Sequence, residues 1–208
     1  MNKLKTIRII AWLVIAVLGI WFLVKPPINT NGAQEAPVPV MDVKEPFAML
    51  NHKGKPVTEA FVTGKPSMIF FGFSHCPAIC PGAMADMGIW LEKLGKDASR
   101  INPVFVSVDP ERDDVKRLSS FLKSYDKRIT GLTGTPEQVA AITKAYGIYY
   151  KKMPPMNPEN GDGGDYMVDH SASIYLYDKN RRLISTIDTT EDRDIAFAKI
   201  KKLIAENQ

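Results

Sequence analysis

Residues 67–73 read SMIFFGF, seven positions without a charge. A continuous apolar run of that length is short for a helix and lacks polar alternation, so it reads as a strand buried on both faces. Such a strand needs structure above and below it, which points to a sheet covered by helices rather than a one-faced meander. The following residues supply those layers. Met84, Met87, Trp90, Leu91 and Leu94 give residues 81–94 helical spacing, and residues 103–108 (PVFVSV) repeat the strand signal. Val115, Leu118, Phe121 and Leu122 share one face of a helix over 114–125. A weak strand at 129–132 leads to Thr135 and Pro136, an N-cap and first-turn pair that opens a helix to about Tyr146, where Gly147 ends it.

Residues 172–177 and 182–187 flank Asp178-Lys179-Asn180 as a hairpin, and residues 191–205 close the chain as a helix. Parallel βαβ units followed by a hairpin and a helix predict an α/β fold, a three-layer sandwich around one sheet. With a cysteine pair between the first long strand and its helix, the order is thioredoxin-like. Residues 151–169 carry many Pro, Gly, Asp and Asn and read as a long excursion before the hairpin. Loops of this length are functional or mobile. Glu159, Asp162 and Asp165 lack the spacing of a calcium loop.

Residues 9–24 (IIAWLVIAVLGIWFLV) are apolar apart from Gly19, follow Lys3, Lys5 and Arg8, and precede only Lys25. Residues 1–24 therefore read as a single transmembrane helix with a basic flank, its short N-terminus in the cytoplasm and the body across the membrane. A cleaved signal peptide has the same charge order, but its apolar region is normally shorter, and no Ala-x-Ala site follows. Residues 25–40 (KPPINTNGAQEAPVPV) read as a semi-extended linker. Most of the formal charge of +4 sits before residue 41. The body, residues 41–208, is nearly neutral, which argues against nucleic-acid binding through phosphate neutralisation.

The chain has two cysteines, Cys76 and Cys80. A disulfide between them closes too short a loop to stabilise the fold much, so the pair is better explained by chemistry. Each precedes a proline, which disfavours helical backbone at the cysteine and places both in a bent loop, with Cys80 near a helix N-cap. The positive end of that helix favours thiolate. Two thiolates leave most metals short of ligands, so a third donor is sought among three histidines. His52 lies in a turn signal, Asn51-His52-Lys53-Gly54, and is expected at the surface. His75 adjoins Cys76, either as a ligand or pointing away, since neighbouring side chains in an extended segment diverge. His170 follows the long loop beside Asp169, an available orienting partner. Asp109 either caps the next helix or orients the site. Met153, Met156 and Met167 flank the loop as soft donors or as core filling.

Three blocks, FFGFSHCPAICPGAM, VFVSVDPERDD and YMVDHSASIYLYD, carry a resemblance. Together with the anchor, residues 41–208 resemble the Sco/SenC family of membrane-anchored copper chaperones. The resemblance implies one copper ion per chain, as copper(I) or copper(II), held by Cys76, Cys80 and His170. It implies delivery to the dinuclear copper site in subunit II of cytochrome c oxidase or to another copper-receiving protein, with a thioredoxin-like reductant as a further partner. It places the globular domain in the periplasm, anchored to a bacterial inner membrane. Ala78 stands where family members often carry an acid. Two thiolates and an imidazole suit copper(I) and also hold copper(II), and Cys₂His with an open position is a zinc arrangement as well. Two other readings remain: a thiol–disulfide oxidoreductase in which Cys76 and Cys80 are the redox pair and His170 is dispensable, and a copper or redox sensor.

Overall fold

A computed structural model of the chain describes residues 12–13, 43–154 and 166–207. Trp12 and Leu13 are helical, and the rest of the expected anchor, the linker at 25–40 and the acids Glu159, Asp162 and Asp165 lie outside the described residues. Among the described residues no helix is long and apolar enough to cross a membrane.

Among the described residues from 43 onward, nine strands and four α-helices follow in order: β1 (Ala48–Asn51), β2 (Pro56–Thr58), β3 (Ser67–Gly72), α1 (Ile79–Leu94), β4 (Asn102–Ser107), α2 (Val115–Leu122), β5 (Thr130–Thr133), α3 (Pro136–Ala145), β6 (Tyr150–Met153), β7 (Met167–His170), β8 (Ile174–Tyr177), β9 (Leu183–Ile187) and α4 (Arg193–Glu206). Seven strands form one mixed sheet in the order β2-β1-β5-β4-β3-β8-β9, while β6 and β7 pair as a separate antiparallel ribbon. The expected α/β sandwich is present. β3 lies near the middle, parallel to β4 and antiparallel to β8, and all six of its residues are buried.

Alternation along β3 sends its side chains to two cores. Phe70 meets Phe105, which meets Phe121 of α2, and a Cβ on Gly72 would touch Cys80 of α1, so α1 and α2 cover this face. α4 docks on α1 there, with Trp90 Nε1 donating to the Arg193 carbonyl at 3.2 Å and Arg193 Nε reaching Asp86 at 2.7 Å. On the opposite face Phe71 meets Tyr146 at the end of α3, and Tyr146 stacks edge-on against Tyr177. The middle layer is therefore shielded on both sides.

Local signals hold well where chemistry is local. Thr135 caps α3 in a reciprocal box with Gln138, Pro136 occupies the first turn, and Gly147 adopts φ 63°. Two departures bear on the site. α1 starts at Ile79, so Cys80 lies within its first turn rather than in the preceding loop. Pro81 costs nothing there, because a first-turn N–H has no partner to lose, and this outweighs the steric bias on the residue before it. The excursion at 151–169 begins and ends in the ribbon, with Tyr150 opposite His170 and Met153 opposite Met167. The hairpin β1–β2 is absent from the sequence reading; its strands, AMLN and PVT, are only four and three residues long, and β1 pairs with β5 while β2 forms the sheet edge.

Candidate metal centre

Gly72 ends β3, and its lack of a side chain decides how close the cysteine loop can come. A Cβ there would stand 2.8 Å from Cys80 Sγ and 2.9 Å from Phe70. Cys80 is consequently fully buried against the sheet, while Cys76 is half-buried at the rim, and both thiols are free. Ala78, the N-cap of α1, offers no side-chain acceptor. Cys76 takes that role: its sulfur accepts the Cys80 amide at 3.4 Å. A hydrogen bond from the Cys80 thiol is the largest influence holding the Cys76 thiol far below its ordinary range, overcoming partial burial, with His170 and the backbone amides of Cys80 and Ala78 adding to it. The same bond and burial push Cys80 upward. The pair thus has an accessible, thiolate-prone sulfur and a protonated one behind it.

The loop is pinned from below by Asp113, which is fully buried. Its carboxylate accepts the Ser74 amide at 2.9 Å, the Ser74 hydroxyl at 2.5 Å and the Ser107 hydroxyl at 2.7 Å. His75 turns toward this group, 3.9 Å from Asp113 and 3.3 Å from Ser74 Oγ, and away from the thiols. His52 is half-buried rather than at the surface: its Nδ1 accepts the Gly131 amide at 3.1 Å, tying the β1–β2 turn to β5, and burial lowers its pKa.

His170, ninety residues from Cys80, comes to the same place. Its ring stands edge-on to Phe70 and Phe73, with centroids 6.1 and 5.7 Å away. Nδ1 lies 3.0 Å from the Ser171 carbonyl, and Nε2 lies 3.7 Å from Cys80 Sγ. A carbonyl only accepts, so Nδ1 carries a proton and Nε2 is the ring nitrogen that faces the sulfur. Asp169 is not the orienting partner; it is exposed and opposite Lys151, because adjacent strand residues project from opposite faces.

The spacing suits a shared ion. Sulfur and nitrogen donors with zinc-like bond lengths, on one ion at 110–120°, stand about 3.6–3.8 Å apart. The thiols and imidazole nonetheless meet here in hydrogen-bonding contact. Among the described residues no group of three or more His, Cys, Asp and Glu side chains is already opened around a metal position. A groove of about 220 Å³ beside Cys76, Ile79, Met167 and His170 gives access from outside.

The arm that carries His170 is clasped at its other end. Tyr166 donates its hydroxyl to Asp109 at 2.5 Å, and its carbonyl accepts Arg112 Nη1 at 2.8 Å. The Arg112 guanidinium also lies over the Tyr166 ring, 3.7 Å from its centroid, and bonds Asp109 through Nε. Asp109 is fully buried and does not cap α2; Asp114 does, accepting the Arg117 amide at 2.6 Å. The side chain one residue before the helix has the geometry to cap it, while Asp109 is too far upstream. Tyr166 and Arg112 escaped the sequence reading, since nothing local links two positions 54 residues apart. Burial, followed by the Asp109 bond, holds the Tyr166 phenol protonated. In Tyr166→Phe the buried Asp109 oxygen loses its donor, so unfolding free energy should fall by about 1–3 kcal/mol. Hydrogen exchange should accelerate at residues 167–170; unchanged exchange there would remove the clasp as an anchor of the arm.

The SCO1/SenC family model matches residues 36–205. The chain is 38% identical over 160 residues to yeast (Saccharomyces cerevisiae) "Protein SCO2, mitochondrial", covering 76% of this chain and 52% of that one. The Arabidopsis thaliana "Protein SCO1 homolog 1, mitochondrial" is 35% identical over 150 residues, 72% of this chain and 43% of that one. The chain thus spans about half the length of these curated relatives. In structure it is similar to Bradyrhizobium japonicum ScoI with copper bound, with TM-score 0.69, 38% identity, and coverage of 76% of this chain and 98% of that one. Yeast Sco1 with copper bound gives 0.69, 34%, 77% and 87%. With the family model spanning most of the polypeptide and the likeness extending through both sequence and fold, this chain belongs to the SCO1/SenC family.

Proposed function

We propose that the chain is a membrane-tethered copper carrier that holds one ion through Cys76, Cys80 and His170 and passes it to a copper-receiving protein, the dinuclear site of cytochrome c oxidase subunit II being the recipient. The observation that carries this reading is the approach of His170 Nε2 to Cys80 Sγ, across ninety residues of sequence, with Nδ1 engaged elsewhere. Two soft sulfurs and one imidazole match copper(I). The rim position of Cys76 leaves an edge of the ion open to an incoming ligand. Similar proteins solved with copper bound support the choice of metal. Residues 1–24 are the anchor and 25–40 the linker in this reading, with the domain of residues 41–208 in the periplasm of a bacterial inner membrane.

The test is a copper titration of the reduced full-length chain in detergent. Saturation at one equivalent is expected, with a sulfur-to-copper charge-transfer band for copper(II). Absence of that band at saturation would remove the cysteines from the site. A second reading has its own observation: a thiolate-prone Cys76 at the rim and a buried Cys80 behind it form an attacking and resolving pair. Thiol–disulfide exchange with a partner protein then needs both cysteines and no imidazole. A sensor would bind the ion equally and deliver none, so transfer to a recipient domain separates it from a carrier.

A further inference from the structure

The described methionines fall into two groups. Met49, Met68, Met84 and Met87 are 2, 0, 0 and 0% exposed and fill the core. Met153 is 39% exposed and Met167 half-buried, and neither is enclosed. These two are direct partners across the β6–β7 ribbon. Directly opposite residues project from the same face with Cβ atoms about 4.5–5.5 Å apart, so two flexible thioether arms can bring their sulfurs onto one ion. Met167 also borders the groove shared by Cys76 and His170, three residues along β7 from the imidazole, about 10 Å at strand rise.

We propose that Met153 and Met167 form a second, weaker copper(I) site on the arm that carries His170. The chemistry selects the ion. Thioethers are neutral, soft and carry no proton to displace, so they hold copper(I) in low coordination and bind harder ions such as zinc or copper(II) poorly. Core filling does not account for Met153, which is exposed, and accounts only partly for Met167, which packs against the edge of the core yet stays half-buried, unlike the four enclosed methionines. An ion held there with two neutral ligands keeps its full charge of +1 and is only weakly retained. The pair is a weak holding position on the arm, with Met167 projecting from the strand face opposite the imidazole because an odd number of positions separates it from His170. The choice of metal rests on the copper-carrier reading, whereas the existence of the pair site does not require Cys76, Cys80 or His170 to bind anything.

The test uses the full-length chain, reduced and without oxygen, with carbon-13 in the methionine methyl groups, titrated with copper(I). In the wild-type chain the Met153 and Met167 resonances should move together after the first equivalent, while those of the four core methionines stay in place. In Cys76→Ser/Cys80→Ser they should move with the first equivalent instead. Met153→Leu should weaken the Met167 response at least about tenfold, since one soft donor then replaces two. The proposal is overturned if both resonances stay still through three equivalents, or if Met167 responds equally in Met153→Leu. Failure of the carrier reading looks different: in the wild-type chain the two methyl groups then respond to the first equivalent, just as they do in Cys76→Ser/Cys80→Ser.

Discussion

Replacing His170 with alanine should lower copper(I) affinity by roughly a hundredfold or more, because losing a ligand exceeds the 10–100-fold effect of losing an outer partner. The site makes this loss hard to repair. The imidazole is wedged edge-on between Phe70 and Phe73, and neither ring offers a donor in its place. His75, the nearest other imidazole in sequence, is turned toward Ser74 and Asp113. Competition against a chelator of known affinity measures the effect. Exchange of the Cys76–Cys80 disulfide with a small thiol should change little, because the largest influence on Cys76 is Cys80 itself. A variant that keeps its copper affinity within a few-fold of wild type would take His170 out of the ligand set and leave the thiol-exchange reading as the stronger one.

Asp113→Ala should be the most destabilising single change near the site. Three donors end on this fully buried carboxylate: the Ser74 amide, the Ser74 hydroxyl and the Ser107 hydroxyl. Hydrogen bonds to a charged group contribute about 1.5–3 kcal/mol each, and a buried donor left without an acceptor is costly in itself. Non-additivity among three bonds on one group brings the expected loss to about 3–5 kcal/mol, the range for breaking a buried charged contact. Asp113→Asn keeps one acceptor oxygen and should lose less. Chemical denaturation gives the number, and amide exchange at residues 74–76 shows whether the cysteine loop is released. A loss below about 1 kcal/mol, within the reach of a single neutral hydrogen bond, would mean the loop is held by other contacts.

Both predictions concern contacts between residues far apart in the chain, and these mark the limit of what could be read in advance. Thr135 and Pro136 open α3 as expected, and Gln138 completes the capping box, because every partner lies within four residues. The turn at Asp178 follows the same logic, its carboxylate accepting the amides of Asn180 and Arg182. The apolar block of β3 was plain because burial on both faces removes polar residues altogether. The ribbon was not, because Tyr150-Lys151-Lys152-Met153 has three exposed positions and an ordinary polar composition. Asp109 was weighed as a cap because it stands upstream of a helix; its real partners, Tyr166 and Arg112, belong to an arrangement that only the folded chain assembles.

Sequence alone determined the alternation of strands and helices from β3 to α3, the closing hairpin and helix, and the cap of α3, and it singled out Cys76, Cys80 and His170 as candidate donors, since propensity, capping and ligand chemistry are properties of residues and their near neighbours. Tertiary structure decided the rest. It set which edge β1 and β2 join, that His75 turns aside while His170 approaches Cys80, and that Gly72 leaves room for the buried sulfur. The physical reason is that sheet register and close packing couple distant segments, and no local preference specifies where two such segments meet.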